Sequence, residues 1–264
     1  MSSLPPGTIL QLMYLKERLN KLKPGRFIEI GPGSGEISEL LLKLGWEGVS
    51  YDLESRTVER LQSRFIVQIS EGRYNAINED FLNVTKINFC KVDLIISCMV
   101  MEHLNDDLEN KFMEISANLL TEDGLMVGLV PASPRHWGIE DDIAGHCRRY
   151  TRDSLRKLVD SNGWKILHCS GLTYPTSNIL LPVSNFLVGR TEKAKLEFSD
   201  IEKTKASGIR DVRFKTKFPK VLKFILNKHS LMPLHWIQKA FSNSRNSLIL
   251  YFEALPPQII LKDK

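Results

Sequence analysis

Residues 26–35 read R-F-I-E-I-G-P-G-S-G. The run from Phe27 to Ile30 is apolar except for one embedded acid, Glu29, and it leads directly into three alternating glycines, Gly31, Gly33 and Gly35. A short apolar run bounded in this way is a buried strand feeding a tight loop. Beyond it Ile37, Leu40, Leu41 and Leu44 recur at helical spacing, so the loop empties into the N-terminus of a helix. Glycine lets bare backbone approach a ligand that a Cβ would hold off.

Working outward, an amphipathic stretch over 9–23 predicts a helix stopped by Pro24-Gly25. Downstream, strands are expected at 48–51, closing on Asp52; at 74–77, followed by N-E-D-F with Asp80 and Phe81; and at 92–97, ending in Ser97 and running into C-M-V-M-E-H-L. Thr121 to Gly124 reads as a turn before a strand at 125–130, and two more strands are expected at 164–169 and 248–252. Helices are expected over 54–65 and 108–120, and over 151–162 with Thr151 as the cap. Strands alternating with helices of this length require parallel crossovers. The expected fold is therefore α/β, a Rossmann-like, seven-stranded, mostly parallel sheet with helices on both faces and a helical insertion between the last two strands. Expected boundaries are a core over 1–171, a basic insertion or cap over 172–246, and the last strand and tail over 247–264. Ligands of such sheets sit beyond the carboxyl ends of the strands, where these acids and glycines converge.

Composition excludes other classes. Of 264 residues, 42% are hydrophobic and 25% charged, as in ordinary globular domains. No run approaches the ~18 apolar residues of a membrane span, and the N-terminus lacks the basic and apolar segments of a secretory signal. The cysteines at 90, 98, 147 and 169 have no C-x-x-C spacing, which predicts reduced thiols in a cytoplasmic setting and no zinc cluster. The net charge of +5 is concentrated: residues 210–245 hold nine basic residues against one acid, interleaved with aromatics and aliphatics. Two readings stand for that stretch, a cap with solvated lysines or a peripheral contact with an anionic membrane face. Nucleic acid is disfavoured, because no recognised binding module accompanies the charge.

The glycine loop departs from a dinucleotide fingerprint by Glu36, where glycine is required, and that carboxylate would repel a pyrophosphate on the helix N-terminus. It also lacks the Gly-Lys-Ser/Thr ending of a P-loop. The acids better suit a ligand with a cationic amino-acid end near Glu29, a ribose on Asp52 and an adenine near Asp80 and Phe81.

This ordered set, E-I-G-P-G-S-G, Y-D, E-D-F and D-L-I-I-S-C-M-V-M-E-H-L, resembles the class I S-adenosylmethionine-dependent methyltransferases over about 23–170. The resemblance implies S-adenosylmethionine as cofactor, held by Glu29, Gly31, Gly33, Gly35, Asp52, Asp80, Phe81 and Ser97. The run D-D-I-A-G-H-C-R-R-Y, followed by a capped helix and Gly163-Trp164, is similar to a bacterial subgroup with a G-H-x-R-R-Y motif associated with glycan or natural-product pathways. It implies O-methylation of a hydroxyl on a sugar, glycan intermediate or secondary metabolite. The alternatives are a phenol or quinone acceptor, and a non-catalytic protein of the same fold that binds a membrane or partner through the basic stretch.

Methyl transfer from a sulfonium is an in-line displacement, in which positioning is worth roughly 7–11 kcal/mol at best. A hydroxyl acceptor must also lose a proton, and imidazole exchanges protons near neutrality. His146 and His103 are the candidate bases. Trp137, Arg148, Arg149 and Tyr150 are candidates to line the acceptor site, the arginines alternatively bracing the loop against Asp141, Asp142 or Asp153. Related enzymes of ubiquinone and small-RNA methylation carry metal ligands in E-x-x-E-H; here Glu102-His103 match its end, but Met99 replaces the first glutamate. Metal-free transfer is therefore expected.

Overall fold

A computed structural model describes residues 4–84, 91–191, 222 and 224–258 of the chain. Seven strands, β1 (Arg26–Ile30), β2 (Glu47–Asp52), β3 (Tyr74–Asn78), β4 (Val92–Cys98), β5 (Leu120–Pro131), β6 (Lys165–Leu172) and β7 (Ile249–Leu255), form one sheet in the order β3-β2-β1-β4-β5-β7-β6. All pairings are parallel except those of β7, which runs antiparallel to both β5 and β6. The α/β fold expected of the alternating pattern is the fold observed.

The helices are α1 (Pro6–Leu19), α2 (Glu36–Lys43), α3 (Ser55–Arg64), α4 (Ile66–Ser70), α5 (Asp106–Leu119), α6 (Ile139–Ala144), α7 (Arg152–Ser161), α8 (Thr176–Thr191) and α9 (Met232–Ala240). Each strand sends alternate side chains to opposite faces, and two cores result. Phe27, Leu94, Ile96 and Val127 meet Leu15 and Leu19 of α1, Leu41 of α2 and Leu61 of α3 on one face. Ile28, Ile95 and Met126 meet Phe112 and Met113 of α5 and Leu155 and Val159 of α7 on the other. Burying each such side chain contributes roughly 1.5–3 kcal/mol. Arg18 closes α1 onto the last strand with a two-pronged bond to Glu253, 2.7 and 2.6 Å.

Three local expectations are corrected. α1 begins earlier and ends earlier than 9–23, because Pro6 suits the first helical turn and Leu19 is its last helical residue. Residues 121–124 are a bulge inside β5, since Val92 pairs with Leu120 but Leu94 pairs with Leu125. The apolar spacing of Leu108, Phe112, Ile115, Leu119 and Leu120 predicts a buried stripe through Leu108, but in α5 Leu108 is exposed and the buried residues are Glu109, Phe112, Met113, Ser116 and Leu119. None of Cys98, Cys147 and Cys169 is in a disulfide; Cys90 lies outside the described residues. Both α8 and α9 fall between β6 and β7, and much of the basic stretch 210–245 also lies outside the described residues.

Candidate functional site

The glycine loop lies at the carboxyl end of β1, flanked by the ends of β2 and β4. Gly31, Gly33 and Gly35 have φ of 68°, 53° and 85°, the left-handed region that side chains disfavour. A Cβ on Gly31 would stand 2.5 Å from Val100 Cγ2, whereas a Cβ on Gly33 would meet nothing within 4 Å. The loop is therefore packed below and open at Gly33. Arg60 and Arg64 of α3 hold it from the side. Arg60 donates to the Gly33 carbonyl at 3.0 Å, and Arg64 donates to the Ser34 carbonyl and pairs with Glu36 at 3.5 Å and Glu39 at 2.5 Å. Neither arginine was identifiable from sequence, where both look like the solvated side of an amphipathic helix.

Glu29 is buried on the face of β1 that meets α2. Its Oε2 accepts from Ser38 Oγ at 2.5 Å and Ser50 Oγ at 2.9 Å, and Tyr74 donates to Ser50 at 2.9 Å. Burial pushes its carboxyl up to about 7, against the pull of the two hydroxyls. The direct contacts of Glu29 thus tie β1, β2 and α2 together beneath the loop. A carboxyl that is harder to ionise when folded subtracts stability as pH rises from its unfolded value to its folded one, and the loss levels off above about 7. The shift corresponds to about 3 kcal/mol. Glu29→Gln, which keeps an acceptor for both serines, is expected to flatten this part of the pH dependence and raise the ligand-free melting temperature at pH 8 by several degrees. Melts at pH 5 and pH 8 check this; parallel pH slopes for the variant and the unaltered protein would contradict it.

Asp52 ends β2, where its Oδ1 accepts from the Glu54 N–H at 2.9 Å. Burial raises its carboxyl, opposed by the backbone N–H groups of Glu54 and Gly33. Asp80 caps the short turn over Phe81–Asn83 by accepting from the Leu82 N–H at 2.9 Å. The Phe81 ring is in the core, 6.2 Å from Tyr51 and 5.4 Å from Phe112 between centroids. Ser97 is 1% exposed at the end of β4, and its Oγ has no hydrogen-bond partner among the described residues.

A second group forms where the chain returns after β5. Backbone bonds from Tyr150 N to Pro131 O (2.8 Å), Ser133 N to Tyr150 O (2.9 Å) and Cys147 N to Glu102 O (2.7 Å) fold the segment 133–150 back over the ends of β4 and β5. This brings His146 beside His103, with ring centroids 4.8 Å apart. Asp141 is fully buried and accepts from His146 Nδ1, Arg149 Nε and the Gly138 N–H, all at 2.8 Å. Burial alone would raise its carboxyl, but the bonds from His146 and Arg149 hold it below the usual range. An ionised Asp141 fixes the proton of His146 on Nδ1 and leaves Nε2 the basic atom. That Nε2 lies 3.8 Å from Glu102 Oε1. Glu102 is fully buried, burial pushes it up to about 8, and neither carboxyl oxygen has a hydrogen-bond partner among the described residues. One donor atom each from Glu102, His103 and His146 lies within 4.8 Å of the others, a set able to hold a divalent cation.

The remaining candidates differ in exposure. Trp137 is 41% exposed, with its Nε1 on Asp142 Oδ1 at 2.8 Å. Arg149 also donates to the Ala132 carbonyl at 3.1 Å. Arg148 pairs with Glu109 at 2.8 Å and Asp106 at 2.7 Å on α5. Tyr150 is in the core, with its hydroxyl donated to Glu109. Glu109 was missed in the sequence because a single acid among the charged residues of α5 gives no sign of being buried. Along α8 and next to the strand ends of β6 and β7, a further set of buried polar atoms has no hydrogen-bond partner among the described residues: Thr173 Oγ1, Thr176 Oγ1, Asn178 Oδ1, Asn185 Oδ1, Asn246 Oδ1 and Ser247 Oγ. A Cβ on Gly138 would lie 3.0 Å from Asn185 Nδ2, so α8 lies against the segment that carries His146.

Comparison with known proteins agrees with the fold. The Methyltransferase domain family matches residues 9–169. The probable ribosomal RNA small subunit methyltransferase A of Methanospirillum hungatei is 38% identical over 61 residues, 23% of this chain and 24% of that protein. The ubiquinone biosynthesis O-methyltransferase of Pelagibacter ubique is 26% identical over 127 residues, 44% of this chain and 50% of that protein. The chain thus spans half or less of these relatives. A crystal structure of an S-adenosylmethionine-dependent methyltransferase from Clostridium acetobutylicum shares the fold with a TM-score of 0.54 at 12% identity, covering 96% of this chain and 93% of that one.

Proposed function

The chain belongs to the Methyltransferase domain family, and on that premise we propose that it binds S-adenosylmethionine over the glycine loop and methylates a hydroxyl of a sugar, glycan intermediate or secondary metabolite. The residues fit the cofactor on two observations of this chain. The loop is open at Gly33, and Ser97 Oγ is a buried polar atom awaiting a partner. Backbone of Gly31, Gly33 and Gly35 would carry the amino-acid end, with Glu29 holding the loop from below; Asp52 would take the ribose hydroxyls, and Asp80 with Phe81 would border the base. The bound cofactor supplies an electrophilic methyl on a sulfonium. The protein's share is to align the acceptor oxygen and remove its proton.

The observation that carries the base assignment is the Asp141 to His146 bond at 2.8 Å, which orients the ring and presents Nε2. In this mechanism Nε2 takes the acceptor proton, and the resulting imidazolium is stabilised by Asp141. Arg149 shares that carboxylate and keeps the segment in place; His103 borders the same spot. The unpartnered hydroxyls and amides along α8 and at Asn246 and Ser247 support a neutral, hydroxyl-rich acceptor, which could satisfy several of them at once. A phenol or quinone acceptor is the second reading, favoured by the half-exposed indole of Trp137.

Assay of methyl transfer from labelled S-adenosylmethionine to sugars, catechols and RNA tests the acceptor class, the RNA arm being prompted by the rRNA-named relative. His146→Ala is expected to lower turnover on the acceptor about 10²–10⁴-fold with S-adenosylhomocysteine affinity unchanged. Unchanged turnover would remove the base role. The proposal takes transfer as metal-free, so turnover should survive a chelator. Loss on chelation, restored by a divalent ion, would make Glu102, His103 and His146 ligands instead.

A further inference from the structure

The helix α9 is amphipathic in the inverted sense. Its inward residues are polar: His235 bonds Glu17 at 2.8 Å, and Gln238 bonds the Leu10 carbonyl at 3.0 Å and accepts from the Thr173 N–H at 2.9 Å. Its outward residues are apolar, with Trp236 64%, Ile237 38% and Phe241, just past its end, 50% exposed. At 100° per residue these outward positions fall on one side and His235 and Gln238 on the other. The helix α8 also turns apolar side chains outward. Ile179, Val183 and Phe186, at 73%, 58% and 65% exposed, form an outward stripe that ends in exposed Arg190, while Val188 opposite is buried.

The start of α8 and the end of α9 are neighbours. Both helices pack on α1, the Tyr174 ring before α8 meets Phe241 after α9 at 5.5 Å, and Asn178 donates to the Asn246 carbonyl at 2.9 Å. Cations predominate on the two helices themselves, and the acid packed against α9, Glu17 of α1, is already paired with His235 and Lys239. No Asp or Glu occurs in 161–191 or in 212–252, and Arg190, Lys228 and Arg245 are exposed there. Exposed apolar side chains of this size, grouped on two neighbouring helices, mark an interaction surface.

We propose that the α8/α9 face docks on a lipid bilayer containing anionic headgroups. An interfacial helix wants large apolar side chains on one side and nearby cations, which these two helices supply together. A second copy of the chain fits less well, because a two-fold contact would set Arg190, Lys228 and Arg245 against their own copies. No helix among the described residues is long and apolar enough to cross a membrane, so the contact is peripheral. It does not depend on the methyl-transfer reading.

The test is flotation of the full chain with vesicles of phosphatidylcholine alone and of phosphatidylcholine with phosphatidylglycerol, at low and high salt. Binding is expected only with phosphatidylglycerol and should weaken with salt. Tryptophan emission should shift to the blue, and the shift should be lost in Trp236→Ser, which leaves Trp137 as the one exposed tryptophan beside the buried Trp46 and Trp164. Trp236→Ser and Phe186→Ser, both at exposed sites and so compatible with folding, should each lower the partition coefficient about tenfold or more. Failure of the unaltered protein to float at low salt would overturn the proposal, as would undiminished flotation of the double variant. A dimer that the double variant converts to monomer, without flotation in either form, would overturn it in favour of self-association.

Discussion

Asp141→Ala is expected to cost about 3–5 kcal/mol of stability and to remove turnover, because one buried carboxylate holds three donors from three parts of the return segment. Without it the Arg149 guanidinium, whose side chain is 8% exposed, keeps only the Ala132 carbonyl. The Gly138 N–H at the start of α6 loses its acceptor, and His146 loses the bond that selects its tautomer. A second variant separates these effects. In Asp141→Ala/Arg149→Met the uncompensated charge is gone, so much of the lost stability should return. Turnover should stay low, since nothing then orients Nε2. Urea melts of both variants, with methyl transfer measured alongside S-adenosylhomocysteine affinity, decide it. Turnover recovering together with stability would show that Asp141 acts on the fold alone.

The strand, glycine loop and helix were legible because each signal is local. Apolar spacing gives the element, glycines give the break, and a strand-end acid such as Asp52 follows from where the strand must stop. The same logic located the strands to within a few residues, apart from the first five residues of β5, and the Thr151 cap of α7. What escaped depends on contacts far apart in sequence. Arg60 reaches a carbonyl 27 residues away and Arg64 one 30 residues away, and nothing in the pattern of α3 distinguishes them from solvated arginines. Tyr150 follows two arginines in a polar run, which suggests a surface; its burial depends on Glu109, 41 residues earlier. The helix α9 is the most instructive case. Its apolar residues have the spacing of a core stripe, and only the three-dimensional partners of His235 and Gln238 reveal that the polar side faces in. Periodicity reports that a helix has two faces, but not which of them is buried.

Gly33→Ala is expected to abolish S-adenosylhomocysteine binding, at least about a hundredfold in Kd, while leaving a folded protein. At φ of 53° an alanine pays the left-handed penalty of roughly 1–2 kcal/mol, and the new methyl meets no protein atom within 4 Å. The loss of stability is therefore small, and the methyl occupies the open side of the loop where a ligand would lie against backbone. Gly31→Ala is the contrast. Its methyl would stand 2.5 Å from Val100 Cγ2, so that variant should lose stability through displacement of Val100 before any ligand is considered. Comparing the two by thermal melts without ligand and by titration with S-adenosylhomocysteine separates packing from binding. Gly33→Ala binding as tightly as the unaltered protein would move the cofactor away from this loop. Asp52 ends β2 beside the loop that leaves β1, so a ligand lying over Gly33 is within reach of its carboxylate, and Asp52→Ala should weaken binding while the loop keeps its bonds to Arg60 and Arg64.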